Sequence, residues 1–128
     1  MCSSGNSDYW RFVSWEQSRQ NSLNNQLKSL QANEDIIKTN PGKTAMIEAV
    51  SGRTIALHNI GEIYAEIEMY DKALEYERKS VKYEIEAKNY IGQAISYKAM
   101  ATIHKNMNAV DSAEFYFLKA LDLFDDNI

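Results

Sequence analysis

The stretch GRTIALHNIGEIYAEIEMYDKALEYERKSVKYE, residues 52–84, decides the fold, because residues 92–124 repeat its pattern forty positions later. Conservative pairs such as Ile60 with Met100 and Val81 with Leu121 fall on this register. A fixed period of this length is the signature of repeated helix-turn-helix units. The sequence therefore predicts two such units in tandem. The identical pairs at this offset are Gly52 with Gly92, Ile55 with Ile95, Ile63 with Ile103, Asp71 with Asp111, Ala73 with Ala113, Tyr76 with Tyr116, and Lys79 with Lys119.

Apolar residues within each unit recur every three to four positions, which is the spacing of one helix face. Asp71 and Asp111 are suitable N-caps for the second helix of each unit. Four helices are predicted, and each is separated from the next by a short polar turn. They run from about Thr44 to Ile67, from Asp71 to a turn at 88–90, from about Ile91 to Lys105, and from Asp111 through Phe124.

The N-terminal third follows a different pattern. Residues 1–7 are small and polar, which predicts a flexible tail, and Ser7 or Asp8 is expected to cap the helix that follows. Residues 8–40 are consistent with one long helix or two consecutive helices. Pro41 disfavours a helical conformation at the preceding residue, and Gly42 tolerates the positive φ that a turn requires, so a break is expected here.

The composition favours an all-α protein and excludes several functions. Glycine and proline are scarce, at five and one, whereas helix-forming residues are abundant. The net charge of −4 argues against a nucleic-acid partner, because phosphate binding requires clustered Lys and Arg. No apolar run is long enough to span a membrane. With one cysteine and two separated histidines, neither a metal site nor a cofactor site is expected.

The pattern Leu57-x2-Ile60-Gly61-x2-Tyr64-x8-Ala73 resembles the tetratricopeptide repeat consensus, and it recurs from Tyr97. The forty-residue period resembles the extended repeats of bacterial regulatory proteins. The resemblance implies an α-α solenoid, a right-handed superhelix of antiparallel helix-turn-helix repeats. It divides residues 8–128 into a degenerate repeat or capping helices at 8–43, a repeat at 44–87 and a repeat at 88–128. Glu77 and Ser80 depart from the consensus, which usually has an aromatic residue and an alanine there.

The resemblance also implies a function, because stacked repeats present an extended groove lined by the first helix of each repeat. We expect that groove to bind a protein or a peptide of mixed charge, in an adaptor, scaffold or sensor module of a signalling protein. No motif of a phosphate loop, a nucleophile or a metalloenzyme is present, so no catalytic activity is expected. The residues predicted to line the concave wall are Ile55, His58, Asn59, Glu62, Glu66, Ile95, Lys98, Thr102 and Lys105.

Other polar and aromatic residues are predicted to have structural roles. His104 replaces the tyrosine of the repeat, so packing is its expected role. For His58, on the concave side, an ordinary surface residue and a functional residue are equally consistent with the sequence. Tyr76, Tyr83 and Tyr116 are expected to pack between helices rather than to form a recognition box.

Two alternatives remain open at the sequence level: a structural module for homo-oligomerisation, with a homodimer formed through the terminal helices, and a sensor of a small ligand. The segment beginning at Cys2 resembles the start of a mature bacterial lipoprotein. Lipidation of Cys2 would anchor the protein at the bacterial envelope, and a cytoplasmic location is the other expectation. The C-terminal end suggests that the chain is the N-terminal piece of a longer regulatory protein.

Overall fold

A computed structural model describes residues 4–127, with side chains for residues 7–125, and contains five α-helices. The described part of the chain has no β-strand. The all-α class predicted from the sequence is therefore confirmed. The helices are α1 (Ser4–Lys38), α2 (Lys43–Glu66), α3 (Tyr70–Glu86), α4 (Tyr90–Asn106) and α5 (Val110–Asn127).

The helices form an antiparallel array in which each packs mainly against its neighbours in the chain. Arg19 of α1 reaches Glu66 at the end of α2, and Tyr64 of α2 stacks on Tyr76 near the start of α3. Contacts between α2 and α4 are few, so a groove remains between them above α3. The architecture is the predicted series of helical hairpins, and the handedness of a superhelix stays a prediction.

Apolar burial explains why the helices pack in this order. Ile60 is completely buried between α1 and α3, where it contacts a cluster that includes Leu23 of α1. A second cluster joins α3, α4 and α5 around Met100. Burial of one aliphatic side chain contributes about 1.5–3 kcal/mol. These two clusters therefore hold all five helices together. The second cluster contains Ala73, Leu74, Val81, Ala94, Tyr97, Met100, Ile103 and Ala120.

Three helix ends use the same turn, at intervals of twenty residues. Glu68, Lys88 and Asn108 each have a positive φ, of 64°, 54° and 62°. At the first of these turns the N–H of Met69 donates to the carbonyl of Tyr64 at 2.8 Å, and the N–H of Glu68 donates to that of Ala65 at 3.0 Å. This is the Schellman pattern, which satisfies the last carbonyls of the helix. The turn repeats after α2, α3 and α4 and so gives these helices a regular spacing.

Several predicted boundaries at the N-terminal end were wrong. Ser4–Lys38 is one continuous helix, so residues 4–7 are helical and Ser7 and Asp8 are not its cap. Residues 1–3 lie outside the described part of the chain. The continuous α1 is the first of the two alternatives that the sequence left open for residues 8–40, and the role of residues 8–43 as a degenerate repeat or capping helices stays a prediction. Its leucines at 23, 27 and 30 pack on α2, as their spacing indicates.

Two predictions of local geometry also need correction. The positive φ in the turn after α1 occurs at Asn40, with 52°, whereas Gly42 has a φ of −59° and forms the N-cap of α2. An asparagine reaches this region at low cost. Asp71 and Asp111 are not N-caps, because α3 and α5 already begin at Tyr70 and Val110. Both carboxylates lie in the first turn, where they interact favourably with the positive end of the helix dipole.

Candidate functional site

The groove between α2 and α4 forms an open cleft of about 500 Å³ with α3 as its floor. Six of the nine residues predicted for the concave wall line this cleft: His58, Glu62, Glu66, Ile95, Lys98 and Thr102. Residues on α2 and α4 face each other here because these are the first helices of consecutive repeats, with α3 between them in the chain. The structure thus brings together most of the wall that the repeat register indicated.

A second cleft, of about 270 Å³, continues the first toward the N-terminal end of α2. His58 and Ile95 line both clefts, and Ile55 lines the second. On its floor, the hydroxyl of Ser96 donates to that of Ser80 at 3.2 Å, and both side chains are buried. We call the two clefts together the central groove. Its two parts meet at His58.

Two of the predicted wall residues do not line the described clefts. Asn59 lies on the side of α2 that faces α1, and its Nδ2 donates to Gln26 Oε1 at 3.3 Å. One residue along an α-helix corresponds to a rotation of about 100°, which is why Asn59 and His58 face different neighbours. Lys105 is exposed outside both clefts.

The sequence marked Glu77 of α3 only as a departure from the repeat consensus and not as a groove residue, yet it lies on the groove floor and is completely buried. Its Oε1 lies 2.9 Å from His58 Nδ1, and its Oε2 has no hydrogen-bond partner. Gly61 leaves room for the carboxylate in this position, since an added Cβ would lie 2.8 Å from Oε2 and the carboxylate would have to shift. A buried carboxylate of this kind is costly unless its partners are retained.

His58 joins this buried carboxylate to an exposed one. Its Nε2 lies 3.3 Å from Glu62 Oε1, and 57% of the Glu62 side chain is exposed. A ring that donates from both nitrogens is an imidazolium. The hydrogen bond to Glu77 raises the pKa of His58 despite the opposing effect of burial, and burial raises the pKa of Glu77 despite its bond to His58. The arrangement of the two carboxylates therefore favours the protonated form of His58, with one ring N–H directed at each of them.

The remaining histidine and the tyrosines have the predicted packing roles. His104 stacks on Tyr116 with ring centroids 5.3 Å apart, and burial lowers its pKa. Tyr76 stacks on Tyr64 at 5.7 Å, and the guanidinium of Arg53 lies 3.4 Å from the ring centre of Tyr83. These aromatic residues therefore join neighbouring helices.

Within the described ranges, no group of three or more His, Cys, Asp or Glu residues could hold a metal ion. None of the described helices combines the length and the hydropathy that crossing a bilayer requires. Cys2, the predicted lipidation site, lies outside the described residues. A further cleft, of about 530 Å³, lies between α1 and the C-terminal end of α2, and of the predicted wall residues it contains only Glu66. The central groove is therefore the cleft that unites most of the predicted wall residues.

Comparison with known proteins yields one match. The family model described as tetratricopeptide repeat matches residues 55–84, which include the C-terminal half of α2 and most of α3. His58, Gly61 and Glu77 all lie inside the matched segment. No curated protein and no solved structure gives a match.

Proposed function

We propose that this protein binds a segment of a partner protein in its central groove. The match of residues 55–84 to the tetratricopeptide repeat supports this, because such repeats generally mediate protein–protein interaction. The observation that carries the proposal is that α2 and α4, the first helices of the two repeats, both contribute side chains to one open groove. The family is generally a non-enzymatic interaction module, and we propose no catalytic activity.

The composition of the groove supports a peptide-like ligand. Three isoleucines line its second cleft with much of their surface exposed, namely Ile55 at 59%, Ile91 at 52% and Ile95 at 47%. Exposed aliphatic side chains beside charged ones are typical of surfaces that bind protein segments. Both clefts are open along their length, which suits an extended segment better than an enclosed small molecule. This geometry favours the partner-binding role over the sensor of a small ligand.

The resemblance to extended repeats of bacterial regulatory proteins extends the proposal to biological context. We propose that the module acts as an adaptor or sensor in signalling, with its partner recruited through the central groove. Lipidation of Cys2 and attachment to the envelope remain part of this proposal. Mass spectrometry of the protein from its native cell tests this point, since a lipidated N-terminus gives a characteristic mass increase and an unmodified Cys2 contradicts the anchor.

The test of binding uses two charge-swapped variants with the same net charge. The groove variant is Glu62→Lys with Lys98→Glu, and the control is Lys82→Glu with Glu86→Lys, at two exposed positions outside the described clefts. Partners captured from native extract by the wild type are purified, and their affinity for each variant is measured by calorimetry. The proposal expects loss of binding in the groove variant alone. Equal affinity for all three proteins contradicts it.

A second candidate is a structural module for homo-oligomerisation, supported by exposed aromatic residues on both terminal helices. Tyr9, Trp10 and Phe12 on α1 are 58–65% exposed, and Phe115 and Phe117 on α5 are 57% and 49% exposed. Analytical ultracentrifugation of the wild type and of Trp10→Ser with Phe117→Ser tests it. A concentration-dependent dimer that the double variant abolishes supports this candidate, and a monomer at all concentrations contradicts it.

A further inference from the structure

The charges of the central groove are incompletely balanced within the described residues. Glu66 is paired with Arg19 of α1, and Glu77 is paired with His58. Glu62 has only its share of the same His58, at 3.3 Å, and its side chain is largely exposed. Lys98 lies on the opposite wall and makes no ion pair with any described residue. Glu84 also lines this groove, where it is only partly exposed and shares a hydrogen bond with Asn89. Glu62 and Lys98 are therefore the exposed charged groups of the groove that are best placed to contact a ligand.

The two exposed charges, Glu62 and Lys98, lie on different helices. Glu62 belongs to α2 and Lys98 to α4, and the structure shows no bond across the groove between them. The isoleucines at positions 55, 91 and 95 lie farther along the same groove. A ligand in the groove thus meets an acidic wall on one side, a basic residue on the other and an aliphatic patch at one end.

Glu62 is held in place before a ligand arrives. His58 contacts one of its oxygens, and His58 is itself fixed by the fully buried Glu77, whose second oxygen has no partner. A side chain restrained in this way loses less conformational entropy on binding than a free surface glutamate. The buried carboxylate therefore restrains, through His58, the exposed carboxylate of Glu62.

We infer that the central groove selects a partner segment of mixed charge, with a lysine or arginine beside Glu62, an aspartate or glutamate beside Lys98, and an aliphatic side chain among the isoleucines. This inference rests on the proposed function and specifies its partner. A purely cationic segment would be repelled by Lys98, and a purely anionic one by Glu62. Complementary charges across an interface discriminate between partners in this way.

The test uses synthetic twelve-residue peptides that share one central leucine and differ in their flanking charges. There are four sets of peptides. The mixed set carries lysine and glutamate together, in both orders, and the other three carry lysine alone, glutamate alone, or glutamine as the neutral reference. Binding to the full chain is measured by fluorescence anisotropy at 50 and 300 mM salt. We expect one order of the mixed set to bind about fivefold or more tightly than the other sets, since each exposed pair contributes a few-fold. Higher salt should reduce this preference.

The charge-swapped variants give the decisive comparison. The variant Glu62→Lys with Lys98→Glu should prefer the mixed peptide in the opposite order, whereas Lys82→Glu with Glu86→Lys should keep the wild-type preference. Groove-dependent binding of purely cationic, purely anionic or neutral peptides overturns the inference. So does an absence of any preference that depends on the groove. In those cases the proposed function is decided separately by mapping the captured partner on the protein by nuclear magnetic resonance, because the position of the contact does not depend on the charge of the segment.

Discussion

Substitution of His58 by alanine is the perturbation whose consequence the structure defines best. Glu77 is completely buried, and its contact with His58 Nδ1 at 2.9 Å is the one hydrogen bond that the described chain gives it. Removal of the imidazole would leave both carboxylate oxygens without a partner. The substitution therefore acts mainly through Glu77, although the altered residue is His58.

The magnitude follows from this arrangement. Breaking a buried ion pair by removing one partner costs about 3–5 kcal/mol. Burial already raises the pKa of Glu77, and without His58 that pKa will rise further, so protonation of the carboxyl limits the cost. At pH 7 we expect a loss of about 3 kcal/mol. This is a large share of the roughly 5–15 kcal/mol that stabilises a typical domain.

The assay is urea unfolding followed by circular dichroism, with wild type, His58→Ala, Glu77→Ala and the double variant. Because the two groups interact directly, the double variant should lose about 1–3 kcal/mol less than the sum of the single losses. The loss in His58→Ala should also shrink at pH 5, where Glu77 is more easily protonated. Additive losses, or a loss in His58→Ala below about 1 kcal/mol, would refute the buried pair. For the same reason, binding variants of the groove should leave His58 intact.

Three further predictions concern stability. The raised pKa values of His58 and Glu77 make the native state hold more protons than the unfolded state. The free energy of unfolding should therefore fall as pH rises from about 4.5 through the raised pKa of His58, above 6.5. Urea midpoints at pH 5.5 and 8.5 measure this fall, and an unchanged pH dependence in Glu77→Gln contradicts it. Gly61→Ala places a Cβ 2.8 Å from the buried carboxylate of Glu77, so the variant should lose about 1–2 kcal/mol of unfolding free energy despite the better helix propensity of alanine. A stabilised variant contradicts the close contact. Ile60→Ala should cost about 2–5 kcal/mol, against less than about 0.5 kcal/mol for the 59% exposed Ile47→Ala; similar thermal midpoints for the two contradict the assigned core.

Much of the fold could be predicted from the sequence because apolar spacing and the internal repeat report the same physical requirement. Residues such as Ile60 and Ile63 recur on one helix face, and their burial in the structure follows directly. The forty-residue offset aligned two hairpins without any structural information. Tertiary packing and local sequence agree here, so the prediction of helices α2 to α5 was sound.

The helix ends were harder to predict because their signals are atypical. Glycine usually occupies the position of positive φ after a helix, yet this chain uses Glu68, Lys88 and Asn108 there. Neither glutamate nor lysine is a usual signal for that conformation. The continuous α1 was equally uncertain, because its polar middle section, near Ser18, is consistent with either a helix or a break.

The site could be predicted only in part. The repeat register placed His58, Glu62 and Lys98 on the concave surface, and the structure brings them to facing sides of the central groove. Glu77 was missed because acidic residues on helices are usually exposed. The available signal was its position, where the repeat consensus has an aromatic residue, together with Gly61, which leaves space for the carboxylate. A polar residue at a packing position therefore indicates a buried pair that spacing alone does not reveal.

The most direct test of the central claim is a footprint of the bound partner on the protein by nuclear magnetic resonance. Backbone amide shifts of the labelled chain are followed as the captured partner segment is added. We predict that the largest changes occur at His58, Glu62, Ile95 and Lys98, on the facing walls of α2 and α4. Changes confined to the exposed aromatic residues of α1 and α5, with the central groove unaffected, would contradict the proposed binding site.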